Sequence, residues 1–421
     1  MTSSLHMLHP GRVVPAILLF ARLSYAQPPE EWLDSATGHR VIRLSREPGS
    51  ASLYFHQNAY TADGGKLIVT SPSGVSTIDL KTRRIERVVE GRVAVIVAGR
   101  KTGQIYYMKD GAIYAVNVNT KESREIAKLS PRHSVSTLNA DETLLAGAYV
   151  ESDNPGTTAG GRRGTRPQPV GPDGKPLNKA EAKEAMLDNR LKSALPMAIF
   201  TVNVKSGEIK VIHRATDWLN HLQFSPTDPG LLMFCHEGPW HKVDRIWIVR
   251  TDGSGLRKIH ARTLEMEIAG HEFFSSDGKT IWYDLQTPRG EDFWVAGYRL
   301  DSQERTWYHL RRDEWSVHFN VSPDGKLFAG DGGDEEMVAN AKDGKWIYLF
   351  RPRMVPNYGV ASDQKGLIKT GVLQAERLVN MSKHNYALEP NVTFSPDMKW
   401  IIFRSNMLGP THVFAVEVDK Q

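Results

Sequence analysis

Short apolar stretches typical of β-strands recur along the chain, and most of them follow the same turn. The turn has an apolar or aromatic residue, a small polar residue, Pro or Ala, then Asp and Gly or another polar residue. Six copies occur, at residues 60–64, 138–142, 224–228, 274–278, 321–325 and 394–398. Because Pro fixes the entry of the chain and Asp-Gly closes a tight turn, each copy predicts a hairpin between two strands.

The spacing of these turns predicts a repeat architecture. The two most regular intervals run from Asp228 to Asp277 and on to Asp324, which is 49 and 47 residues. One four-stranded propeller blade needs about that length. The longer interval before Asp141 contains a degenerate unit at residues 93–118. We therefore predict an all-β fold, a seven-bladed β-propeller with four-stranded blades.

Two insertions interrupt this single predicted domain, which spans residues 27–421. They lie at about residues 152–196 and 331–391. Residues 178–195 favour a helix, which is expected either to cap one mouth of the ring or to form a solvated surface arm.

The N-terminus predicts export. Arg12 precedes an apolar stretch, and Ser24-Tyr25-Ala26 resembles a cleavage site, so residues 1–26 are predicted to be a signal peptide. The protein is then expected in the periplasm or secreted, and in the cytoplasm if this segment is not a signal. The stretch is too short to span a membrane.

Composition narrows the function only slightly. The 53 Lys and Arg residues against 48 Asp and Glu give a net charge of +5, which suits an anionic substrate. We expect no nucleic-acid partner, because neither a long basic run nor a nucleic-acid-binding motif is present. The single cysteine, Cys235, excludes an intrachain disulfide.

Candidate chemistry lies just before the repeated turns. Innermost strands of a propeller line the central channel, so residues at equivalent positions converge near its axis. These positions hold His56-Gln57, His221, His271, His318 and the segment 389–391. Several converging imidazoles favour a metal or acid–base site over isolated structural histidines.

The stretch from His221 to Gly333 resembles the oligogalacturonate lyase family. Its distinctive phrases are Phe-Cys-His-Glu-Gly-Pro-Trp at 234–240, Val-Asp-Arg-Ile-Trp at 243–247 and Gly-His-Glu-Phe at 270–273. The resemblance implies a lyase that degrades pectin fragments. It would cleave short oligogalacturonides by β-elimination, with removal of the C5 proton and departure of the C4 oxygen.

The same resemblance implies the catalytic residues. His271 matches the family's base, and a histidine near its ordinary pKa of about 6.5 would serve at neutral pH. Arg245 matches the catalytic arginine; its alternative role is pairing with Asp244. His236, Glu237 and Trp240 belong to the strongest motif, so with His221 and Gln57 they are candidate substrate contacts, although His236 and Glu237 could form a structural pair and Trp240 could pack between blades.

A divalent metal, Mn²⁺ by analogy with the family, is also implied. Its candidate ligands here are His318, His384, Glu389 and Asn391. The family's His-Pro-His phrase is replaced by Glu389-Pro390-Asn391, but a carboxylate and an amide oxygen still suit a hard cation.

Three alternatives remain from the sequence. A non-catalytic propeller of the TolB type would use the same repeats to bind a protein partner, and a related enzyme could act on another uronate. A prolyl-peptidase-like hydrolase is disfavoured because the chain has neither a Gly-x-Ser-x-Gly motif nor a following α/β domain.

Overall fold

The computed structural model describes residues 29–151, 176–177, 179–356 and 366–420. The predicted signal peptide, residues 152–175 of the first insertion and residues 357–365 of the second lie outside these residues. No helix in the described part of the chain is long and apolar enough to cross a membrane.

Within the described residues, the strands form seven consecutive antiparallel blades, as predicted. The first three blades comprise β3 (Ala51–Ser52), β4 (Lys66–Ser71), β5 (Gly74–Asp79) and β6 (Ile85–Glu90); β7 (Ala94–Ala98), β8 (Gln104–Lys109), β9 (Ala112–Asn117) and β10 (Ser123–Lys128); and β11 (Ser134–Leu138), β12 (Leu144–Val150), β13 (Met197–Asn203) and β14 (Ile209–Ala215). The second of these is the degenerate unit.

Blades four to six follow the same order from the channel outward. They comprise β15 (Leu219–Phe224), β16 (Leu231–His236), β17 (Ile246–Arg250) and β18 (Arg257–Lys258); β19 (Ile268–Phe274), β20 (Thr280–Gln286), β21 (Phe293–Arg299) and β22 (Arg305–Leu310); and β23 (Phe319–Val321), β24 (Phe328–Gly330), β25 (Trp346–Met354) and β26 (Ile368–Asn380). A short 3₁₀ helix, Arg312–Glu314, links blades five and six.

The seventh blade joins the two ends of the chain. Its C-terminal strands are β27 (Thr393–Phe394), β28 (Trp400–Ser405) and β29 (His412–Glu417), and its N-terminal strands are β1 (Glu31–Leu33) and β2 (Arg40–Arg43). β2 pairs with β29, so the N-terminal segment closes the ring and makes this blade five-stranded.

Blades five and six also depart from the simple four-stranded pattern. Their outermost strands, β22 and β26, pair in parallel, so the two blades form one continuous eight-stranded sheet. The length of β26, 13 residues, allows it to pair with both β25 and β22. The second insertion therefore extends the sheet over part of its length.

Local chemistry explains the repeated turns. The Asp side chain accepts a hydrogen bond from a Ser or Thr two residues earlier, as in Ser275 to Asp277 (2.6 Å) and Ser322 to Asp324 (2.7 Å). The next residue has a positive φ, 69° at Gly278 and 61° at Met398. Glycine favours this conformation because it has no Cβ.

Apolar residues of neighbouring blades fill the space between them. Ile347 and Leu349 of β25, for example, belong to one buried cluster with Phe403 and Phe414 of the last blade. Every blade is thus held by contacts with its neighbours, and the channel residues keep fixed positions.

The first insertion does contain a helix, α1 (Lys179–Ser193), between β12 and β13. Leu187 is 2% exposed and packs against Trp240 and Ile268. α1 therefore covers part of the channel mouth, as the capping alternative predicted.

Candidate active site

Bulges in the innermost strands shape the channel. The pairing register shifts between Asn220 and Gln223 in β15, and between Gly270 and Phe273 in β19. His221 and His271 lie inside these bulges with φ of 48° and 45°, and Asn391, just before β27, has φ of 57°. Left-handed backbone is unfavourable for such residues and concentrates at functional sites, and a bulge re-aims a side chain.

Three histidines surround Tyr54 in the channel, and a fourth packs beside one of them. The Tyr54 ring centre lies 5.0 Å from His56, 6.5 Å from His221 and 5.2 Å from His318. His271 joins the group, with its ring centre 4.7 Å from that of His318. The structure thus brings together residues from blades one, four, five and six.

His271 is held by a buried carboxylate. Its Nδ1 lies 3.0 Å from Oδ1 of Asp284 in the neighbouring strand β20. When Asp284 is ionised it accepts a hydrogen bond from the Nδ1–H of His271, and Nε2 is then left with a free lone pair. This is the arrangement that a general base requires.

The pKa values of the channel histidines are lower than expected from the sequence. Burial lowers the pKa of His271 well below its ordinary value, and the nearby His318 acts in the same direction. Burial likewise lowers the pKa of His221, and that of His56 to about 3. These shifts keep the imidazoles neutral at neutral pH and lower the pKa of His271 from the ordinary value assumed from the sequence.

Arg245 is a buried cation with few partners. It is 3% exposed, and its Nε and Nη1 atoms lack hydrogen-bond partners in the described structure. Its nearest carboxylate is Glu272, at 3.8 Å. Asp244 pairs with Lys258 at 2.6 Å and with Arg262 at 3.4 Å, so pairing with Asp244 is not the role of Arg245.

Trp240 connects Arg245 with the histidines. Arg245 Cζ lies 4.4 Å from the centre of the Trp240 ring, whose edge approaches His271 at 5.3 Å between centres. Trp240 also packs between α1 and β19. Trp240 is only 6% exposed, so it has a packing role. It also lies beside Arg245 and His271.

The other residues of the same motif have different surroundings. Glu237 is bound by Arg190 of α1 at 2.5 Å and by Asn220 at 3.0 Å, so it anchors the helix. His236 pairs with Asp217 at 3.2 Å and packs on Trp247, outside the histidine cluster. The two do not form a structural pair with each other.

Gln57 stabilises the loop that carries His56. Its Oε1 accepts a hydrogen bond from the Tyr54 backbone N–H, and its Nε2 donates to the Ile96 carbonyl. Both ends of the amide are thus used within the protein, and the structure does not present Gln57 as a substrate contact.

Comparison with known proteins assigns a family to this site. The sequence model of the oligogalacturonate lyase family matches residues 191–421, which include Arg245, His271 and His318. The chain belongs to the oligogalacturonate lyase family.

Similar proteins extend the likeness over most of this lyase. An oligogalacturonide lyase of Pectobacterium atrosepticum is 24% identical over 405 residues, which cover 91% of this chain and 95% of that protein. An oligogalacturonate lyase of Dickeya dadantii matches to the same extent.

Solved structures agree with the propeller fold. An oligogalacturonate lyase in complex with manganese has a TM-score of 0.71 at 23% identity, covering 93% of this chain and 96% of that one. The oligogalacturonate lyase of Vibrio parahaemolyticus has a TM-score of 0.70 at 23% identity, covering 93% and 97%.

The possible metal donors of this lyase lie beside His318. Its Nδ1 is hydrogen-bonded to Asp331 at 2.8 Å, and its Nε2 is hydrogen-bonded to the Tyr54 hydroxyl at 3.1 Å, with the Glu389 carboxylate at 3.8 Å. A metal at Nε2 would therefore have to displace the Tyr54 hydroxyl. The Oδ1 atom of Asn391 is buried and lacks a partner in the described structure. One imidazole, one carboxylate and one amide oxygen fit a hard divalent cation.

The full set of four predicted ligands is not assembled. His384 uses Nδ1 toward Ser405 at 2.9 Å and Nε2 toward the Leu388 carbonyl at 2.6 Å, which leaves no ring nitrogen for a metal. The Leu388 carbonyl is an acceptor and requires Nε2 of His384 to carry a proton. Among the described residues, no group of three His, Cys, Asp or Glu side chains is placed to hold an ion. Any metal here would rely on His318, Glu389 and Asn391.

Three residues of the site escaped the sequence analysis. Tyr54 lies two positions before the expected His56, Asp284 lies opposite Gly270 in the β19–β20 register, and Lys183 comes from the inserted helix. Asp284 alone had a sequence signal, because strand pairing places residues of consecutive strands side by side.

Proposed function

We propose that this oligogalacturonate lyase cleaves short oligogalacturonides by β-elimination, with His271 as the base and Arg245 as the fixed cation. The carrying observation is the pair of His271 and Asp284, placed beside a buried arginine whose Nε and Nη1 make no hydrogen bond among the described residues. A binding scaffold needs neither feature. The family match likewise favours a lyase of pectin oligomers over the TolB-like alternative.

The reaction requires one base and stabilisation of one developing charge. The C5–H electron pair forms the C4–C5 double bond, the C4–O bond breaks, and the departing oxygen takes up a proton. Negative charge develops on the uronate carboxylate as the C5 proton leaves. Groups that stabilise this charge more strongly in the transition state than in the substrate accelerate the step.

His271 is suited to accept the C5 proton. Asp284 fixes the ring and, when ionised, stabilises the imidazolium that forms. The lowered pKa of His271 keeps its ring neutral at neutral pH, although it also makes the ring a weaker base. General-base catalysis of this kind contributes about 10²- to 10⁴-fold to the rate.

Arg245 supplies the fixed positive charge. Its planar guanidinium can hold two carboxylate oxygens. Its Nε and Nη1 are buried and have no hydrogen-bond partner among the described residues, although the Glu272 carboxylate lies 3.8 Å from Nε. Because the site is buried, an interaction with a carboxylate is stronger there than in water.

We also propose a divalent cation, Mn²⁺, held by His318 and Glu389 with Asn391 contributing an oxygen. When bound, it would neutralise the substrate carboxylate and so make the C5 proton more acidic. Asp331 accepts a hydrogen bond from Nδ1 of His318 and so orients the ring with Nε2 toward Glu389.

One assay tests this function. Purified protein is incubated with digalacturonate, and the ultraviolet absorbance of the unsaturated uronate is followed with and without chelator. We expect product formation that chelator abolishes and Mn²⁺ restores, while circular dichroism shows an intact propeller. Absence of product under all metal conditions would contradict the lyase activity, and full activity after metal removal would contradict the metal requirement.

We further propose that the protein acts outside the cytoplasm after removal of residues 1–26. The apolar segment after Arg12 and the small residues before Gln27 support this location. N-terminal sequencing of protein from fractionated cells should find Gln27 first, in the periplasm or medium. Recovery of the intact N-terminus from the cytoplasm would overturn it.

A further inference from the structure

The inserted helix α1 is fixed firmly over the channel mouth. Leu187 is buried against Trp240 and Ile268. Arg190 pairs with Glu237 at 2.5 Å, and Asp188 pairs with Lys242 at 2.8 Å. Apolar burial and two ion pairs therefore hold its central and C-terminal turns in one place.

This docking places Lys183 beside the active site. Lys183 precedes Leu187 by four residues, so both lie on the same face of α1. Its Nζ is 5.3 Å from the centre of the Trp240 ring, which also contacts Arg245 at 4.4 Å and His271 at 5.3 Å. Unlike Arg245, Lys183 is exposed and can meet a ligand that enters from solvent.

Lys183 makes no ion pair with the described residues. The ion pairs that α1 makes with the described residues use Glu184, Asp188 and Arg190, and none of them uses Lys183. Although part of the residue is exposed, protein atoms desolvate its ammonium group and lower its pKa, and the like charge of Arg245 lowers it further, while the carboxylates of Glu237, Glu389 and Asp284 act in the opposite direction. Lys183 and Arg245 repel each other beside one indole ring, and a substrate carboxylate between them would relieve this repulsion more directly than the surrounding carboxylates do.

We infer that Lys183 is a substrate-binding residue, which together with Arg245 holds the carboxylate of the uronate next to His271. This inference rests on the proposed function and adds a residue from outside the propeller blades. Lys183 meets the carboxylate at the mouth, and Arg245 meets it from the buried side. The substrate thereby becomes oriented over Trp240 with its C5 near His271.

The contribution of Lys183 is present in both the bound substrate and the transition state. Its removal should therefore raise KM more than it lowers kcat. Arg245, which faces the developing charge from a buried position, should affect both constants. This split separates a binding lysine from a residue that only supports the fold.

The test uses Lys183→Met, Lys183→Arg and, as a matched control on the same helix, the exposed Lys192→Met. Calorimetry in the His271→Ala background measures the affinity for digalacturonate and for its uncharged methyl ester. We expect Lys183→Met to weaken digalacturonate binding about tenfold and methyl-ester binding less than twofold. Lys183→Arg should stay within about threefold of the parent, and Lys192→Met should have no effect.

Equal losses for both ligands, or no loss for either, would overturn the role of Lys183. Elimination by the otherwise unmodified protein is measured in parallel. If that protein cleaves digalacturonate while Lys183→Met and Lys192→Met bind alike, only the inference fails. If it neither binds nor cleaves digalacturonate, the proposed function fails and the inference with it.

Discussion

Asp284 controls which nitrogen of His271 carries the proton. Burial raises the pKa of Asp284 to about 7, although the charge of Arg245 opposes this shift. Below that pH the carboxyl is protonated and no longer requires a hydrogen bond from Nδ1–H. The imidazole proton is then free to sit on Nε2, which can no longer act as a base. Since the two groups interact, the titration belongs to the pair.

We predict that turnover rises with pH through an apparent pKa of about 7. In Asp284→Asn turnover should fall by roughly 10²-fold, because the amide favours the wrong imidazole tautomer. The rising limb should also disappear, since the group that titrates is gone. A pH profile of kcat for both proteins makes this comparison.

The exposed acid Asp301, in the β21–β22 turn of the same blade, provides the control. Asp301→Asn should keep both the turnover and the rising limb of the profile. A rising limb that persists unchanged in Asp284→Asn would show that another group titrates.

At this scale the sequence predicted only part of the site. His271 and Arg245 were identifiable because they lie in distinctive phrases. Gln57 was predicted from its channel position and His384 from the family resemblance. In the structure their polar atoms are hydrogen-bonded to Tyr54, Ile96, Ser405 and Leu388, which no local pattern reveals. Hydrogen-bond satisfaction depends on tertiary neighbours.

Strand β19 and the loop that carries Trp240 act as one element. Gly270 lies under the Trp240 ring, and a Cβ at this position would collide with the ring carbons. The glycine is therefore needed for close approach between β19 and Trp240. The ring in turn places Arg245 and Lys183.

Gly270→Ala should displace Trp240 and both cations. We expect a loss of about 1–3 kcal/mol in unfolding free energy and a fall of roughly tenfold or more in kcat/KM, because small displacements at reacting groups are costly. Denaturant unfolding and steady-state kinetics measure the two effects.

Gly333→Ala is the matched control, because a Cβ there would meet Val317 at an ordinary 3.5 Å. That variant should keep near-native kinetics. Native kcat/KM in Gly270→Ala would contradict the link between Trp240 packing and catalysis.

The whole ring is needed to assemble the site. Tyr54 comes from the first blade and Glu389 from the segment before β27, and both face His318 across the channel. Their relative positions are fixed when β2 pairs with β29 and closes the ring. The site is therefore a property of the closed propeller.

Blade count and turn positions followed from the sequence because periodicity and turn chemistry are local. The helix was expected from composition, but the position of Lys183 required the docking of Leu187 on Trp240. The parallel pairing of β22 with β26 was also missed, since it joins strands separated by about a whole blade. Long-range pairing leaves no periodic signal.

The most direct test of the account compares His271→Ala with the native protein on digalacturonate. Without the imidazole the proton acceptor is lost, but Arg245 and Lys183 still bind the carboxylate. We predict nearly unchanged affinity by calorimetry together with a fall in turnover of about 10²-fold or more. Near-native turnover in His271→Ala would contradict the assignment of His271 as the base.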